Sequence, residues 1–133
     1  MHEWALAEAV VRSLEEIARG RKVKRFVVVL GVLQSIDEEI FRFALNTLLE
    51  DAKNRGVLDV ETYEIIHEDP VARCLSCGYE WSIDMNSFDS DAREAIHFLP
   101  EAVHCFVKCP RCGSSDIEIV RGRGVRLEVV EYE

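Results

Sequence analysis

A chain of 133 residues, 48% hydrophobic and 31% charged, has the composition of a soluble globular protein and the length of one domain carrying a small lobe. Its net charge of −9 argues against broad binding to nucleic acid or to anionic membranes, and suits a protein that handles cations or docks on a basic partner. No apolar run nears the roughly 20 residues that span a bilayer, and no secretory pattern opens the chain, so the expected location is the cytoplasm. Thiols stay reduced there, so the five cysteines read as metal ligands or free thiols before disulfides.

Residues 2–19 have the spacing of an amphipathic helix. Trp4, Ala7, Val11, Leu14 and Ala18 recur at steps of three and four, and Leu6, Val10 and Ile17 widen the stripe. Gly20 suits the position just past its end. "RGRKVKR" (19–25) reads as a solvated loop that complements the helix C-terminus. "KRFVVVLGVLQ" (24–34) is continuous and β-branched, hence a mostly buried strand. "SIDE" (35–38) has the form of a capping box, with Ser35 accepting from the Glu38 backbone. The helix it opens turns Ile40, Phe41, Ala44, Leu45, Leu48, Leu49 and Ala52 inward and stops at Gly56.

Residues 59–69 alternate well enough for a strand that Pro70 ends. Cysteines, turn residues and acidic residues then run to about 115. Strands resume over 115–133, with a bend at "GRG" (122–124). The predicted fold class is α+β: two helices packed on a small three-stranded mixed sheet, with an inserted zinc-ribbon-like lobe. Residues 1–69 and 116–133 form the body in this reading, and 70–115 the lobe.

Within the lobe, "CLSCG" (74–78) and "CPRCG" (109–113) repeat one C-x-x-C-G pattern. Each places two thiolates on one tight turn, and glycine lets peptide N–H groups point at sulfur. Two such turns meeting give a four-sulfur site: Cys74, Cys77, Cys109 and Cys112. Four protein ligands leave no open position, so the metal is structural and zinc is its natural occupant. The lobe has few large apolar residues of its own by this reading, so the metal is expected to carry its folding. Rubredoxin-like electron transfer with iron, or a zinc ribbon for macromolecular binding, is the alternative use of the same knuckles. "CGYEW" (77–81) adds to the rubredoxin likeness.

The 31 residues between Cys77 and Cys109 exceed the roughly 15–20 of a compact ribbon. This stretch is acidic (Asp84, Asp89, Asp91, Glu94, Glu101), and "SDAREAIHFL" can form a short helix before Pro100. His97 and His104 lie in it. Cys105 reads as a small buried apolar residue, and His67 as a local charge partner of Glu68 and Asp69.

The opening "MHEW" offers nitrogen donors. An α-amine, with a reference pKa of about 7.7–8.0, is partly unprotonated near neutrality. The Met1 amine and the His2 peptide nitrogen close a five-membered chelate ring. That nitrogen and the His2 imidazole close a six-membered one. Planar nitrogen sets of this kind favour Ni(II) or Cu(II) over zinc. The fourth corner is left to the Glu3 peptide nitrogen, its carboxylate, or a histidine from elsewhere.

Met1-His2-Glu3 at the start, a two-helix α/β body and paired C-x-x-C motifs together resemble the HypA family of nickel metallochaperones for [NiFe]-hydrogenase maturation. The likeness covers essentially the whole chain. It implies that Met1, His2 and Glu3 bind Ni(II) as cargo, with His2 indispensable, and that Cys74, Cys77, Cys109 and Cys112 hold structural Zn(II). It implies two partners, a nucleotide-hydrolysing maturation protein (an NTPase) and the hydrogenase large subunit, and no catalysed reaction. The long insert departs from compact members and is similar to that of archaeal ones. It opens a further expectation, that His97 swings onto the clip as a fourth or axial nickel ligand.

Overall fold

The computed structural model describes residues 2–34 and 36–133, without the side chains of Gln34 and Val129. In chain order its elements are α1 (Glu3–Ala18), β1 (Val23–Gly31), α2 (Glu38–Asn54), β2 (Val60–Glu68), β3 (Val71–Cys74), β4 (Glu80–Ser82), α3 (Ser90–Phe98), α4 (Val103–Phe106), β5 (Ile117–Arg121) and β6 (Val125–Tyr132). They form two compact units. The first comprises Met1–Val29, Ile36–Ile66 and Val125–Glu133; the second comprises Leu30–Ser35 and His67–Gly124.

The first unit contains α1, α2 and the sheet β2-β1-β6. Its mixed character follows from two bonds. The Glu133 N–H donates to the Lys22 carbonyl, so β6 ends where β1 begins and the pair is antiparallel. The Val23 N–H donates to the Asp59 carbonyl, so β1 and β2 start side by side, parallel across the α2 crossover. Ala7, Val10, Val11, Leu14 and Ala18 of α1, and Phe41, Ala44, Leu45 and Ala52 of α2, are buried. Alanines at several of these positions permit close helix approach, while each buried Leu or Phe contributes about 1.5–3 kcal/mol over exposure. Trp4, Ile17 and Ile40, which the periodicity assigns inward, are exposed.

The basic run 19–25 does more than solvate a loop. Arg25 ion-pairs with Glu64 (3.1 Å) on one neighbouring strand and Glu131 (3.2 Å) on the other. Lys22 reaches Glu133, and the Arg21 guanidinium lies 3.9 Å from the centre of the Tyr132 ring. Helix α2 also opens differently from the capping-box expectation. That cap falls on Ser35, outside the described residues. The observed N-cap is Asp37, whose carboxylate accepts from the Ile40 N–H at 3.1 Å.

The second unit is built on an antiparallel sheet, β4-β3-β5. Residues 117–121, read from the sequence as part of the body, pair here with β3: Cys74 opposite Ile117, Arg73 opposite Glu118, Ala72 opposite Ile119. Helix α3 is capped by Asp89, whose carboxylate accepts from the Ala92 N–H at 2.7 Å. The lobe is richer in apolar contacts than the sequence reading allows. Leu33, Ala72, Ile83, Ile96, Val103, Val107 and Ile117 form a buried cluster, with Trp81, Met85, Phe88 and Ile119 against it. The long insert supplies much of this core, so the metal does not carry the unit's folding alone.

β1 ends earlier than expected, because Val32–Gln34 turn into a single 3₁₀ turn that delivers Leu33 to this second core. Three backbones meet beside that turn. A Cβ on Gly31 would collide with the Gly122 carbonyl, and one on Gly122 with the Pro70 backbone. Gly122 also has φ +85° and donates its N–H to the Glu68 carboxylate at 3.0 Å. Only glycine meets both demands at position 122.

Candidate metal centres

The two knuckles fold alike because their local sequences dictate the same bonds. The Gly78 N–H donates to the Cys74 carbonyl and the Gly113 N–H to the Cys109 carbonyl; the two glycines have φ +80° and +77°. Each turn aims peptide N–H groups at its first sulfur: Cys77 N–H at Cys74 Sγ, and Arg111 and Cys112 N–H at Cys109 Sγ, all at 3.4–3.5 Å. The antiparallel β3–β5 pair brings the turns together, and Ser76 and Ser114 hydroxyls join them at 3.1 Å.

All four sulfurs lie within 4.8 Å of one another. Cys74 Sγ is 3.5 Å from Cys112 Sγ, and Cys77 Sγ is 3.7 Å from Cys109 Sγ. A tetrahedron with Zn–S bonds of about 2.3 Å has edges of roughly 3.8 Å, so the cluster has the dimensions of a zinc–thiolate site. The donor set is all-thiolate and closed.

The electrostatics point the same way. The Cys77 backbone N–H, reinforced by that of Ser76 and by neighbouring thiols, outweighs burial and lowers Cys74 to about 6. At Cys109 burial works upward, but the N–H groups of Cys112 and Arg111 bring the net shift down. At Cys112 the Ser114 backbone works downward, but the sulfurs of Cys74, Cys77 and Cys109, with burial, push it up to about 12. Thiolate charge accumulates on the first sulfurs and is refused by the last. A divalent cation removes that conflict.

The other residues singled out from the sequence fall as follows. Met1 lies outside the described residues. His2 is exposed; its carbonyl accepts from the Leu6 N–H at 2.9 Å, and its side chain makes no cap bond to α1. Glu3 is buried, 5% exposed, and is the buried charged residue of the first unit among the described residues. Its carboxylate accepts from the Asp37 N–H at 3.3 Å, which ties the start of α1 to the start of α2. From the sequence Glu3 is a candidate nickel ligand; that the Asp37 N–H anchors its carboxylate is not legible there. No local pattern announces that two helix N-termini will be adjacent.

His97 is half-buried on α3 in the second unit, its ring edge-on to Phe98 at 5.5 Å. His104 and His67 are exposed. Cys105 is exposed too, which corrects the expectation of burial. α4 is a single turn that directs Val103 inward, so the next three positions face out.

An α+β body joined to a closed four-thiolate centre defines a metal-binding protein. No helix among the described residues is long and apolar enough to cross a membrane. Over residues 1–132 the chain matches the family described as hydrogenase/urease nickel incorporation, metallochaperone, HypA. It is 45% identical over 140 residues to the hydrogenase maturation factor HypA of Pyrococcus horikoshii, and 42% identical over 138 residues to that of Thermococcus onnurineus. Both alignments take in all of this chain and 96% of the relative. The fold is similar to the solution structure of the Ni metallochaperone HypA from Helicobacter pylori, with a TM-score of 0.65 at 21% identity, covering 99% of this chain and 97% of that one. The chain belongs to the HypA family of hydrogenase maturation metallochaperones, which are not enzymes.

Proposed function

We propose that the chain binds Ni(II) through the Met1 amine, the His2 peptide nitrogen and imidazole, and Glu3. It delivers that ion in the cytoplasm to the [NiFe]-hydrogenase large subunit, together with a nucleotide-hydrolysing maturation protein. The observation that carries this reading is the family match over residues 1–132 to a nickel-incorporation metallochaperone.

Three features support the amino-terminal part. The His2 imidazole stands exposed at the end of α1. The first N–H groups of a helix have no intrahelical acceptor, so peptide nitrogens there can lose protons to a metal without breaking the ladder. The Glu3 carboxylate is held by Asp37, so Glu3 contributes its peptide nitrogen as ligand and its side chain as anchor. The helix dipole opposes a cation at this end, and deprotonated peptide nitrogens offset it.

Cys74, Cys77, Cys109 and Cys112 hold Zn(II), which supplies a fixed cross-link and no open position for chemistry. Nickel-loaded chain mixed with metal-free large-subunit precursor is expected to pass its nickel to the precursor in the presence of a competing chelator. Nickel that ends only in the chelator would defeat the delivery reading.

His97 serves as a further nickel ligand in this proposal. Its support is an imidazole half-exposed on an acidic helix, one position round from the buried Ile96. His97→Ala should weaken nickel binding about tenfold, or 1.4 kcal/mol, and shift the nickel absorption bands. An unchanged affinity and spectrum would remove His97 from the ligand set.

A further inference from the structure

Helix α2 carries two apolar stripes. Phe41, Ala44, Leu45 and Ala52 face the core. Ile40 and Phe43 form a second, exposed stripe. At about 100° per residue it lies roughly 130° round the helix from the first. Ile40 is 45% exposed and Phe43 66% exposed. From α1, Trp4 joins them: it is 44% exposed, with its ring edge-on to Phe43 at 6.0 Å. Two aromatic rings and an isoleucine thus form one patch in the first unit that serves neither the core nor either metal centre.

The charges around the patch bear on what covers it. One turn on from Trp4, Glu8 is neutralised by Arg12 at 2.6 Å. Glu38 and Arg42 form a second pair at 3.8 Å. Asp37 and Glu39 remain, so the rim is net acidic, as is the whole chain at −9. The partner surface it complements is apolar at the centre and flanked by lysine or arginine. Three side chains expose at most a few hundred Å², below the roughly 800 Å² per partner of stable complexes. That size fits a transient contact better than a permanent dimer. Exposed Trp and Phe at a helix junction are the side-chain types that anchor such contacts.

Position suggests what the contact is for. Trp4 follows Glu3 directly, and the Asp37 N–H that holds the Glu3 carboxylate begins the same helix as Ile40 and Phe43. We propose that Trp4, Ile40 and Phe43 form the docking surface for a nickel-exchanging protein with a basic-flanked apolar ridge. The identity of that occupant rests on the nickel reading above; the surface itself does not.

The test uses the full-length chain with its zinc, and as probes the purified maturation NTPase and the purified large-subunit precursor. Phe43→Ser and Ile40→Ser change exposed positions and should leave thermal stability and zinc content unaltered. Wild-type chain is expected to bind at least one probe, with affinity falling as salt rises. Each variant should weaken that binding at least tenfold while nickel affinity stays within twofold. Binding of both probes at wild-type strength by both variants overturns the proposal, as does failure of the wild-type chain to bind either probe. A wild-type dimer in sedimentation that Phe43→Ser turns into monomer also overturns it, because the surface is then a self-interface. If nickel proves to bind elsewhere yet probe binding still needs Phe43, the docking surface stands and only the nickel reading fails.

Discussion

A chain extended by two residues ahead of Met1 should lose nickel affinity by at least 100-fold, about 3 kcal/mol, while keeping its zinc and its melting temperature. The extension converts the α-amine into an amide and moves the new amine out of chelating distance, so the five-membered ring is lost. His2→Ala should do comparable damage from the other side by removing the imidazole and the six-membered ring. His2 makes no side-chain cap, and the bond by which the Asp37 N–H holds Glu3 involves neither changed group. The pH dependence has a definite sign. The amine, with a reference pKa of about 7.7–8.0, must lose a proton, and so must the peptide nitrogens, so affinity rises between pH 6 and about 9. Isothermal titration of the native and extended chains at two pH values measures both effects. Equal affinity in the two chains would reject the amino-terminal clip.

Replacing Cys74 and Cys109 together by alanine should take bound zinc from stoichiometric to near zero and unfold the knuckle end of the second unit. A structural zinc contributes about 10–16 kcal/mol to a small metal domain, as much as the whole net stability of an ordinary one. Cys74 also ends β3, and the bonds Cys74 N–H to Tyr79 and Leu75 N–H to Asp116 hold the knuckle onto the sheet. The collapse should nonetheless be partial. Ile96, Val103 and Val107 pack with Ile83 and Leu33 in a core the metal does not create. Hydrogen exchange should therefore show fast exchange in β3, β4 and β5 and residual protection in α3. Elemental analysis reports the metal. Full protection of the sheet without zinc would show that the apolar cluster alone suffices.

The two sites differ in how far they could be read without a structure. The knuckle ligands were legible because each C-x-x-C-G is a local instruction: glycine at positive φ, two sulfurs on one turn, N–H groups directed at them. Their doubling implied a four-coordinate centre before any strand pairing was known. The stripe Ala7, Val11, Leu14 and Ala18 and the stripe Phe41, Ala44, Leu45 and Ala52 were legible for the same reason, since a helix face is a spacing rule. The burial of Glu3 was not legible, because it depends on α2, whose first turn is more than thirty positions away.

The sequence by itself determined the local elements and the metal chemistry: two amphipathic helices, β-branched strands, and four thiols at zinc spacing. Periodicity and turn stereochemistry act over a few residues, so a chain carries them openly. Only the tertiary structure decided that residues 117–121 pair with β3, that the insert around Ile96 and Val103 brings a core of its own, and that Trp4 and Phe43 meet at the surface. Those outcomes depend on which distant faces find one another, and an apolar residue carries no mark of the partner it will bury against.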